Sequence, residues 1–352
     1  MLPTLDTANA DPPGAPSAHR FAVLGLGRAG LAWAMAVAQQ PACALAGFVE
    51  PRGALRRFAR GAGFTAPAFG SLEQLLAKQP CDAVIVAAPL GERVALVESA
   101  VRAGLAVLVD GLPVTHAEGA ARLAGALAGA TAPVACGIGL LFHPLLARAV
   151  SVVGAGGIGA PREIRASVYV SRVFAAGSPP EEGDVLDFAV GELLVVLDAM
   201  FGPPVRVTAT GQRLFGARLD EVHAQLELPG GRQAGVDGSW SVPGYPRASL
   251  VIEVVGERGA LLVSDDALET DLSAACEGLP AGHSRRVLAD ELDPVAFESG
   301  EATRSLAAFV STLQAGPMLD ALDPRRALRV ARSVDAMRRS AADGGRPVEA
   351  GE

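Results

Sequence analysis

The chain has 352 residues, of which half are hydrophobic and 19% are charged. This length and composition suit two packed domains of the usual ~100 to 200 residues each. The 38 acidic and 30 basic side chains give a net charge of −8, which repels phosphate backbones and anionic membranes. We therefore expect neither nucleic acid nor a membrane as a partner.

The cysteines and the N-terminus indicate a cytoplasmic protein. The four cysteines lie far apart with no CxxC pair, which is typical of reduced packing residues. The first residues are rich in Ala and Pro but lack the basic start and apolar block of a secretory signal. We predict a disordered tail over residues 1–19.

A glycine loop then predicts a dinucleotide site. The apolar run Phe21 to Leu24 ends at Gly25-Leu26-Gly27-Arg28-Ala29-Gly30, and an apolar, helix-prone run follows. In a strand-turn-helix unit the first glycine permits the turn, the second lets a pyrophosphate approach, and the third allows close helix packing. The helix N-terminus adds N–H groups and partial positive charge.

The second predicted strand ends in Glu50, twenty residues after Gly30. A carboxylate at this spacing can accept hydrogen bonds from the adenosine ribose hydroxyls, and it repels a 2′-phosphate. NAD is therefore favoured over NADP, although Arg52 would reverse this preference if it reached a phosphate. The simpler alternative is that Glu50 is an exposed acid at a strand end.

Strands and helices continue to alternate up to about residue 140. Near-continuous apolar strands predict a doubly wound parallel sheet, so we assign residues 20–140 to a Rossmann domain. Ligands of such sheets bind at the carboxyl ends of the strands. Further cofactor-binding candidates at these ends are Ala88, Pro89 and Asp110, and Gly139 is a candidate for substrate binding.

The second half changes to a period-two pattern. Residues 221–228 and 233–240 alternate around the turn Pro229-Gly230-Gly231, which predicts an antiparallel hairpin. We assign residues 141–350 to an α+β domain with a large, open, mainly antiparallel sheet and a C-terminal helix over 324–341. An open sheet face also favours a homo-oligomer built through this sheet.

An ordered set of motifs resembles one family. The set comprises the glycine loop, Ser71-Leu72-Glu73-Gln74-Leu75-Leu76, Ala88-Pro89, Phe142-His143-Pro144, Gly157-Ile158-Gly159 and the terminal Asp323-Pro324 helix. From about His19 to Ala350 the chain resembles the glucose-fructose oxidoreductase, inositol dehydrogenase and rhizopine-catabolism (Gfo/Idh/MocA) family. The resemblance implies a Rossmann domain followed by a sheet domain, with a small-molecule substrate held between them over the nicotinamide.

The chain departs from the family at the catalytic motifs. The usual Glu-Lys-Pro triplet has become Asp110-Gly111-Leu112-Pro113, so its lysine is absent, and the usual Asn-Arg segment before Phe-His-Pro has become Gly139-Leu140-Leu141. Where relatives carry a histidine after Thr-Pro-Asn, this chain has Arg93. We expect Arg93 to bind an anionic group of the substrate, with attachment to the surface as the alternative.

The family's Asp-x-Gly-x-His pattern fits in two registers. Alignment on Gly183 places Asp187 at the aspartate and Gly191 at the histidine. Counting back from Phe201-Gly202 instead places Phe188 at the aspartate and Glu192 at the histidine. Asp187 or Glu192 is therefore the candidate acid or base, with an ordinary surface position as the alternative.

His143 is a third catalytic candidate, against the alternative of a structurally bonded histidine. We expect no metal. The resemblance implies an NAD(P)-dependent oxidoreductase that moves a hydride between nicotinamide and a carbinol, carbonyl or imine carbon of a small molecule. Leu90, Leu140 and Leu141 favour an anionic or largely apolar substrate over a polyhydroxylated sugar. The rival hypothesis is a dinucleotide-binding pseudoenzyme that acts as a regulator or accessory subunit.

Overall fold

The computed structural model describes residues 18–61, 63–170, 183–242, 249–288 and 294–351, with side chains excluded for 294–299. The chain divides into two compact units. The first consists of Met1–Val114, Ala121–Gly139 and Asp293–Pro324, and the second of Thr115–Ala120, Leu140–Leu292 and Arg325–Glu352.

A parallel sheet of six strands forms the centre of the first unit. The strands are β1 (His19–Leu24), β2 (Cys43–Val49), β3 (Ala68–Phe69), β4 (Ala83–Val86), β5 (Ala106–Asp110) and β6 (Val134–Gly137). Their order is β3-β2-β1-β4-β5-β6, and every pairing is parallel. The predicted Rossmann sheet is confirmed, with the reversal of strand order at β1 and β4.

Helices connect these strands, and their ends follow local signals. Ser71 begins α3 because its hydroxyl accepts a hydrogen bond from the Gln74 N–H at 3.3 Å, as an N-cap does. Residues 83–86 of β4 are all fully buried, which is typical of a parallel strand covered on both faces. The helices are α1 (Arg28–Gln39), α2 (Gly53–Gly61), α3 (Leu72–Leu76), α4 (Leu90–Arg102) and α5 (Ala117–Ala128).

A helix from late in the chain returns to the first unit. This helix, α8 (Pro294–Leu313), packs against α1 and β6, and the ring of Phe309 meets that of Phe21 edge-on with 6.3 Å between centroids. The prediction that residues 141–350 form one domain is therefore wrong for Asp293–Pro324. Burial of the apolar face of α8 against the Rossmann core decides its placement.

The second unit is built on a nine-stranded sheet, ordered β14-β13-β12-β11-β7-β10-β9-β8-β15. Only β7 and β10 pair in parallel; all other pairings are antiparallel. The predicted open, mainly antiparallel sheet is confirmed. Its strands are β7 (Pro161–Tyr169), β8 (Arg206–Gln212), β9 (Glu221–Leu228), β10 (Arg232–Ser239), β11 (Ser249–Gly256), β12 (Gly259–Ser264), β13 (Ala267–Leu272), β14 (Gly282–Val287) and β15 (Val348–Glu349).

The helices of this unit are α6 (Pro144–Gly154), α7 (Gly191–Phe201) and α9 (Pro324–Ala342). The first residue of α9, Pro324, is counted with the first unit. A π-helical turn, Leu186–Val190, leads directly into α7. A buried ion pair ties α9 to α7, since Arg326 Nε lies 3.0 Å from Asp198 Oδ2. The predicted helix over 324–341 corresponds to α9.

The predicted tail over 1–19 extends too far along the chain, because His19 is already the first residue of β1. Residues 1–17 lie outside the described part of the chain. None of the four cysteines forms a disulfide. No helix in the described ranges is long and apolar enough to cross a membrane.

Candidate functional site

The glycine loop leaves space only at its centre. A Cβ at Gly25, where φ is +104°, would lie 2.7 Å from the Ala87 carbonyl oxygen, and a Cβ at Gly30 would collide with the Gly25 carbonyl oxygen. At Gly27 an added Cβ would meet nothing within 4 Å. The first and third glycines thus allow the chain to pack closely, while the second borders open space.

This open space lies at the N-terminus of α1. Gly27 precedes the helix with no side-chain cap, and Arg28 and Ala29 form its exposed to half-exposed first turn. The N–H groups of a first helical turn have no partner within the helix, and they attract phosphate oxygens. The loop therefore fits the pyrophosphate of a dinucleotide.

Glu50 follows β2 and is fully buried rather than exposed. Its Oε1 accepts hydrogen bonds from the backbone N–H and Nε of Arg52, at 2.9 and 2.6 Å. Its Oε2 accepts from Arg52 Nη2 and from the Leu26 N–H, both at 3.0 Å. Burial by itself raises the pKa of Glu50, but these donors outweigh it, so the pKa lies below its ordinary value.

The Glu50 carboxylate is saturated by these four donors, because two carboxylate oxygens offer about four acceptor positions. Ribose hydroxyls can bind Glu50 only if they replace the Arg52 guanidinium, which is itself half-exposed. Arg56 also donates to the Glu50 carbonyl oxygen at 2.5 Å and fixes the chain at this strand end. The structure thus places Arg52 directly on the predicted ribose ligand.

Asp110, at the end of β5, is held by two side chains. Its Oδ1 accepts a hydrogen bond from Trp33 Nε1 of α1 at 2.8 Å, and its Oδ2 lies 3.7 Å from Arg93 Nη2. Both contacts lie at the carboxyl edge of the sheet, where the sequence predicted a cofactor ligand. Trp33 gave no such signal in the sequence because its role depends on the packing of α1.

The Arg93 guanidinium donates hydrogen bonds to backbone carbonyl oxygens. Its Nε donates to the Ala88 carbonyl at 2.8 Å, and its Nη1 donates to Leu112 at 2.7 Å and also to Asp110. The guanidinium thereby ties together the ends of β4 and β5. These contacts favour a positioning role over the predicted contact with an anionic substrate. Pro89, beside Ala88, is the N-cap residue of α4.

His143 has a structural role in the second unit. Its imidazole is buried, and Nδ1 accepts hydrogen bonds from the Leu145 and Leu146 N–H groups at 3.2 and 3.4 Å. Its Nε2 lies 3.0 Å from the Asp265 carbonyl oxygen, so the proton is on Nε2. Since Nδ1 caps α6 and Nε2 is held by the Asp265 carbonyl, this geometry argues against the predicted catalytic role.

Asp187 lies in a buried polar cluster of the same unit. Its Oδ1 accepts from the Thr115 hydroxyl and from Arg338 Nη2, the latter at 2.8 Å, and its Oδ2 accepts from the Asp184 N–H at 2.8 Å. Arg338 also donates to both oxygens of Asp184 at 3.2 Å. The cluster therefore fixes Asp187 in place.

Burial raises the pKa of Asp184, and the neighbouring charge of Asp187 adds to the rise. Hydrogen bonds and charge from Arg338 oppose this shift without cancelling it. Two carboxylates share one guanidinium, and together with burial this keeps the pKa of Asp184 above its ordinary value.

Glu192 differs from Asp187 in its surroundings. It is the second residue of α7, a helix whose other residues are buried except for the half-buried Ala199. The π turn lies between Gly183 and Glu192, and its backbone bond runs from the Gly191 N–H to the Leu186 carbonyl, five residues back. Glu192 is therefore the partly exposed acid at the start of an apolar helix.

The predicted residues fall into two groups. The glycine loop, Glu50, Arg52, Ala88, Pro89, Arg93, Asp110 and Gly139 belong to the first unit, and His143, Asp187 and Glu192 belong to the second. Sequence reasoning missed the partners Trp33, Thr115, Asp184 and Arg338, whose contacts join distant segments. Among the described residues, no group of three or more His, Cys, Asp or Glu side chains could hold a metal ion.

Comparison with known proteins gives matches to both halves. The model of the oxidoreductase family with an NAD-binding Rossmann fold (GFO_IDH_MocA) matches residues 19–137, and that of the GFO/IDH/MocA C-terminal domain matches 146–262. The chain is 27% identical over 290 residues to D-xylose 1-dehydrogenase (NADP(+)) 2 of Haloferax volcanii, covering 79% of this chain and 83% of that protein.

Two solved structures share the fold. An oxidoreductase from Agrobacterium radiobacter in complex with NAD+, L-tartaric acid and magnesium has 19% identity and a TM-score of 0.80, covering 95% of this chain and 99% of that one. The WlbA dehydrogenase from Bordetella pertussis in complex with NADH and UDP-GlcNAcA has 18% identity and a TM-score of 0.81, covering 95% and 98%. Because the two family models together span more than half of the chain, in order, this protein belongs to the Gfo/Idh/MocA family of NAD-binding oxidoreductases.

Proposed function

We propose that this protein is an active NAD(P)-dependent dehydrogenase or reductase of a small molecule, with Glu192 as the residue that exchanges the proton. The observation that carries the proposal is the π-helical turn Leu186–Val190. A π turn arises when one extra residue is accommodated within an α-helix, and such turns are frequent at functional sites.

The extra residue reconciles the two registers of the family motif. On this proposal, the alignment that starts at Gly183 applies up to Asp187, in the first part of the turn, and assigns it to the aspartate. The alignment counted back from Phe201 applies after the turn and assigns Glu192 to the histidine. The motif would then retain its aspartate and carry a carboxylate in place of the imidazole.

The chemistry of Asp187 and Glu192 follows from their surroundings. Asp187 is held by Arg338, Thr115 and the Asp184 N–H, which suits an anchor for this helix better than a proton carrier. Glu192 is partly exposed, and a carboxylate can take a proton from a hydroxyl during oxidation or return it during reduction. The bound nicotinamide would supply the transfer of the hydride itself.

Two features of the chain limit the class of substrate: the family's Glu-Lys-Pro lysine is absent, and apolar residues stand in the motif segments. Leu112 and Leu141 are buried, and Gly111 offers no side chain. We infer a carbonyl, carbinol or imine substrate that needs one proton donor, with an anionic group or a largely apolar body. The relatives named above, a D-xylose dehydrogenase and an oxidoreductase with bound L-tartaric acid, supply starting compounds for a screen.

The experiment combines calorimetry with a turnover screen. Binding of NAD+ and NADP+ is measured first, and turnover is then followed by absorbance of the reduced cofactor against D-xylose, L-tartrate and a panel of hydroxy acids, ketones and cyclic imines. We expect Glu192→Gln to lower kcat by about 100-fold or more, as loss of a general acid or base does, with NAD+ affinity unchanged. The matched control is Glu227→Gln, an acid of the same unit paired with Arg206.

Full turnover by the Glu192→Gln variant would remove Glu192 from the mechanism. The rival function is a dinucleotide-binding regulator or accessory subunit, which the missing lysine favours. Tight NAD+ binding by the wild type with no turnover across the panel would support that rival. We also propose a cytoplasmic homo-oligomer assembled through the open face of the nine-stranded sheet.

A further inference from the structure

A cavity of about 360 Å³, partly open to solvent, lies between helix α6 and strand β14 of the second unit. α6 packs against β12 and β13, and β14 is the edge strand that continues the sheet beyond β13. A volume of this size suits a small molecule. The described residues that line the cavity are Pro144, Leu145, Arg148, Arg286, Val287 and Leu288.

Among these lining residues, the two arginines carry the only charges. Arg148 lies on α6, and Arg286 lies on β14, where it pairs with the buried Leu268 of β13. Paired residues of neighbouring strands share one face of the sheet, so Arg286 is on the face that packs against α6. The helix and the edge strand therefore each direct one guanidinium group to the cavity.

A two-residue turn holds the two guanidinium groups together. Its central residues, Glu277 and Gly278, have φ of 49° and 72°, and two backbone hydrogen bonds of 3.0 and 2.8 Å join the residues on either side. Arg148 Nη1 donates to the Glu277 carbonyl oxygen, and Arg286 Nη2 donates to the Gly278 carbonyl oxygen at 3.1 Å. Because these two acceptors belong to adjacent residues, the guanidinium groups lie side by side.

Glu277 has a left-handed backbone conformation that is uncommon for a residue with a side chain. Such conformations persist only where surrounding contacts enforce them, and they cluster at functional sites. Here Arg148 holds the Glu277 carbonyl, and the Ser151 hydroxyl of α6 donates to Glu277 Oε2 at 2.6 Å. These contacts fix the turn, and they leave the Glu277 carboxylate on Ser151 rather than on either arginine of the cavity.

Both guanidinium groups keep most of their hydrogen-bonding capacity. An arginine offers five N–H donors, and each of these side chains makes one hydrogen bond to a backbone carbonyl. Neither forms an ion pair with a carboxylate in the described ranges, unlike Arg206 and Arg338 of the same unit. In a protein with a net charge of −8, two adjacent cations without a carboxylate make a local positive site that attracts anions.

We propose that this cavity binds a small organic anion, with a phosphate or carboxylate head on Arg148 and Arg286 and an apolar body against Leu145 and Leu288. Guanidinium groups bind both kinds of head through paired N–H donors. The Leu145 N–H is already used by His143 Nδ1, so the two side chains provide the recognition rather than the helix N-terminus. The proposal does not depend on the dinucleotide site, because the glycine loop belongs to the first unit.

The test is calorimetric titration of the full-length protein with phenyl phosphate and benzoate, which carry the two kinds of head on the same ring. Inorganic phosphate lacks the apolar body, and benzyl alcohol lacks the charge. We expect at least one of the aromatic anions to bind, more tightly than inorganic phosphate and with an affinity that falls as salt is added. Benzyl alcohol should not bind.

Arg148→Gln and Arg286→Gln should each weaken binding of that anion by roughly tenfold or more, as loss of a hydrogen bond to a charged group does. The matched control is Arg162→Gln, an exposed arginine of the same unit that pairs with Glu257, and it should leave the affinity unchanged. Leu288→Glu keeps both arginines and their contacts with the turn, and its carboxylate should occupy them and abolish binding. Thermal melting checks that each variant is folded.

Absence of binding by both aromatic anions would overturn the proposal. Unchanged affinity in both arginine variants, or an equal loss in Arg162→Gln, would do so as well, because the anion would then respond to something other than this cavity. Displacement of the anion by ADP-ribose would place it at the glycine loop and would also reject the site. None of these measurements uses turnover, so they are independent of the test of the proposed function.

Discussion

The contact between Arg52 and Glu50 predicts a change of cofactor preference on a single substitution. Glu50→Gln removes the negative charge at the end of β2 and leaves an amide that can accept on only one of its two atoms. Four donors, three from Arg52 and one from Leu26, then compete for that atom. The Arg52 guanidinium, which is half-exposed, becomes available to a phosphate.

The size of the expected change in cofactor preference follows from the repulsion between the Glu50 carboxylate and the 2′-phosphate of NADP+. The pKa of Glu50 lies below its ordinary value, so the carboxylate is ionised at neutral pH. Two like charges about 6 Å apart repel by about 3 kcal/mol at an effective dielectric constant near 20, which corresponds to roughly 100-fold in Kd. Salt reduces this figure. We therefore expect the ratio of Kd for NADP+ to Kd for NAD+ to fall at least tenfold in Glu50→Gln.

The assay is calorimetric titration with NAD+ and NADP+ at low and high salt. Glu50→Gln/Arg52→Ala tests the role of the freed guanidinium and should reverse part of the gain in NADP+ affinity. Glu92→Gln, an exposed acid in the first turn of α4, is the matched control. If the ratio in Glu50→Gln equals that of the wild type, Glu50 does not face the adenosine ribose.

Three further predictions concern stability and assembly. Because burial raises the folded-state pKa of Asp184, the stability that its proton contributes is present below the ordinary value of 3.8 and is lost as pH rises through the raised value. Denaturant unfolding across that range should therefore show a smaller pH dependence in Asp184→Asn, and an unchanged slope would contradict the assigned shift. Gly30→Ala should destabilise the first unit by about 1–3 kcal/mol or more, since its Cβ would collide with the Gly25 carbonyl; a melting temperature equal to that of Gly27→Ala would count against this packing. Light scattering after size-exclusion chromatography should give a mass of at least two chains, and a charge substitution at Leu262, on an exposed position of β12, should lower it; a monomeric wild type would refute the assembly.

The sequence determined the elements whose signals are local. The glycine loop, the spacing to Glu50 and the apolar strand runs identified the Rossmann sheet, because turn geometry and burial of parallel strands impose fixed residue types at fixed intervals. Period-two alternation around Pro229-Gly230-Gly231 likewise identified a hairpin, in which Leu228 pairs with Arg232. These features depend on neighbours along the chain, so they can be read without coordinates.

Tertiary structure alone decided the contacts between distant segments. The return of α8 to the first unit, the cluster of Thr115 and Arg338 around Asp187, and the placement of Glu301 beside Gly139 depend on how buried faces pack. The π turn Leu186–Val190 that precedes Glu192 is a change of backbone hydrogen bonding that no residue type indicates. Packing of the whole chain selects among arrangements that are locally equivalent, and this is why these features required the structure.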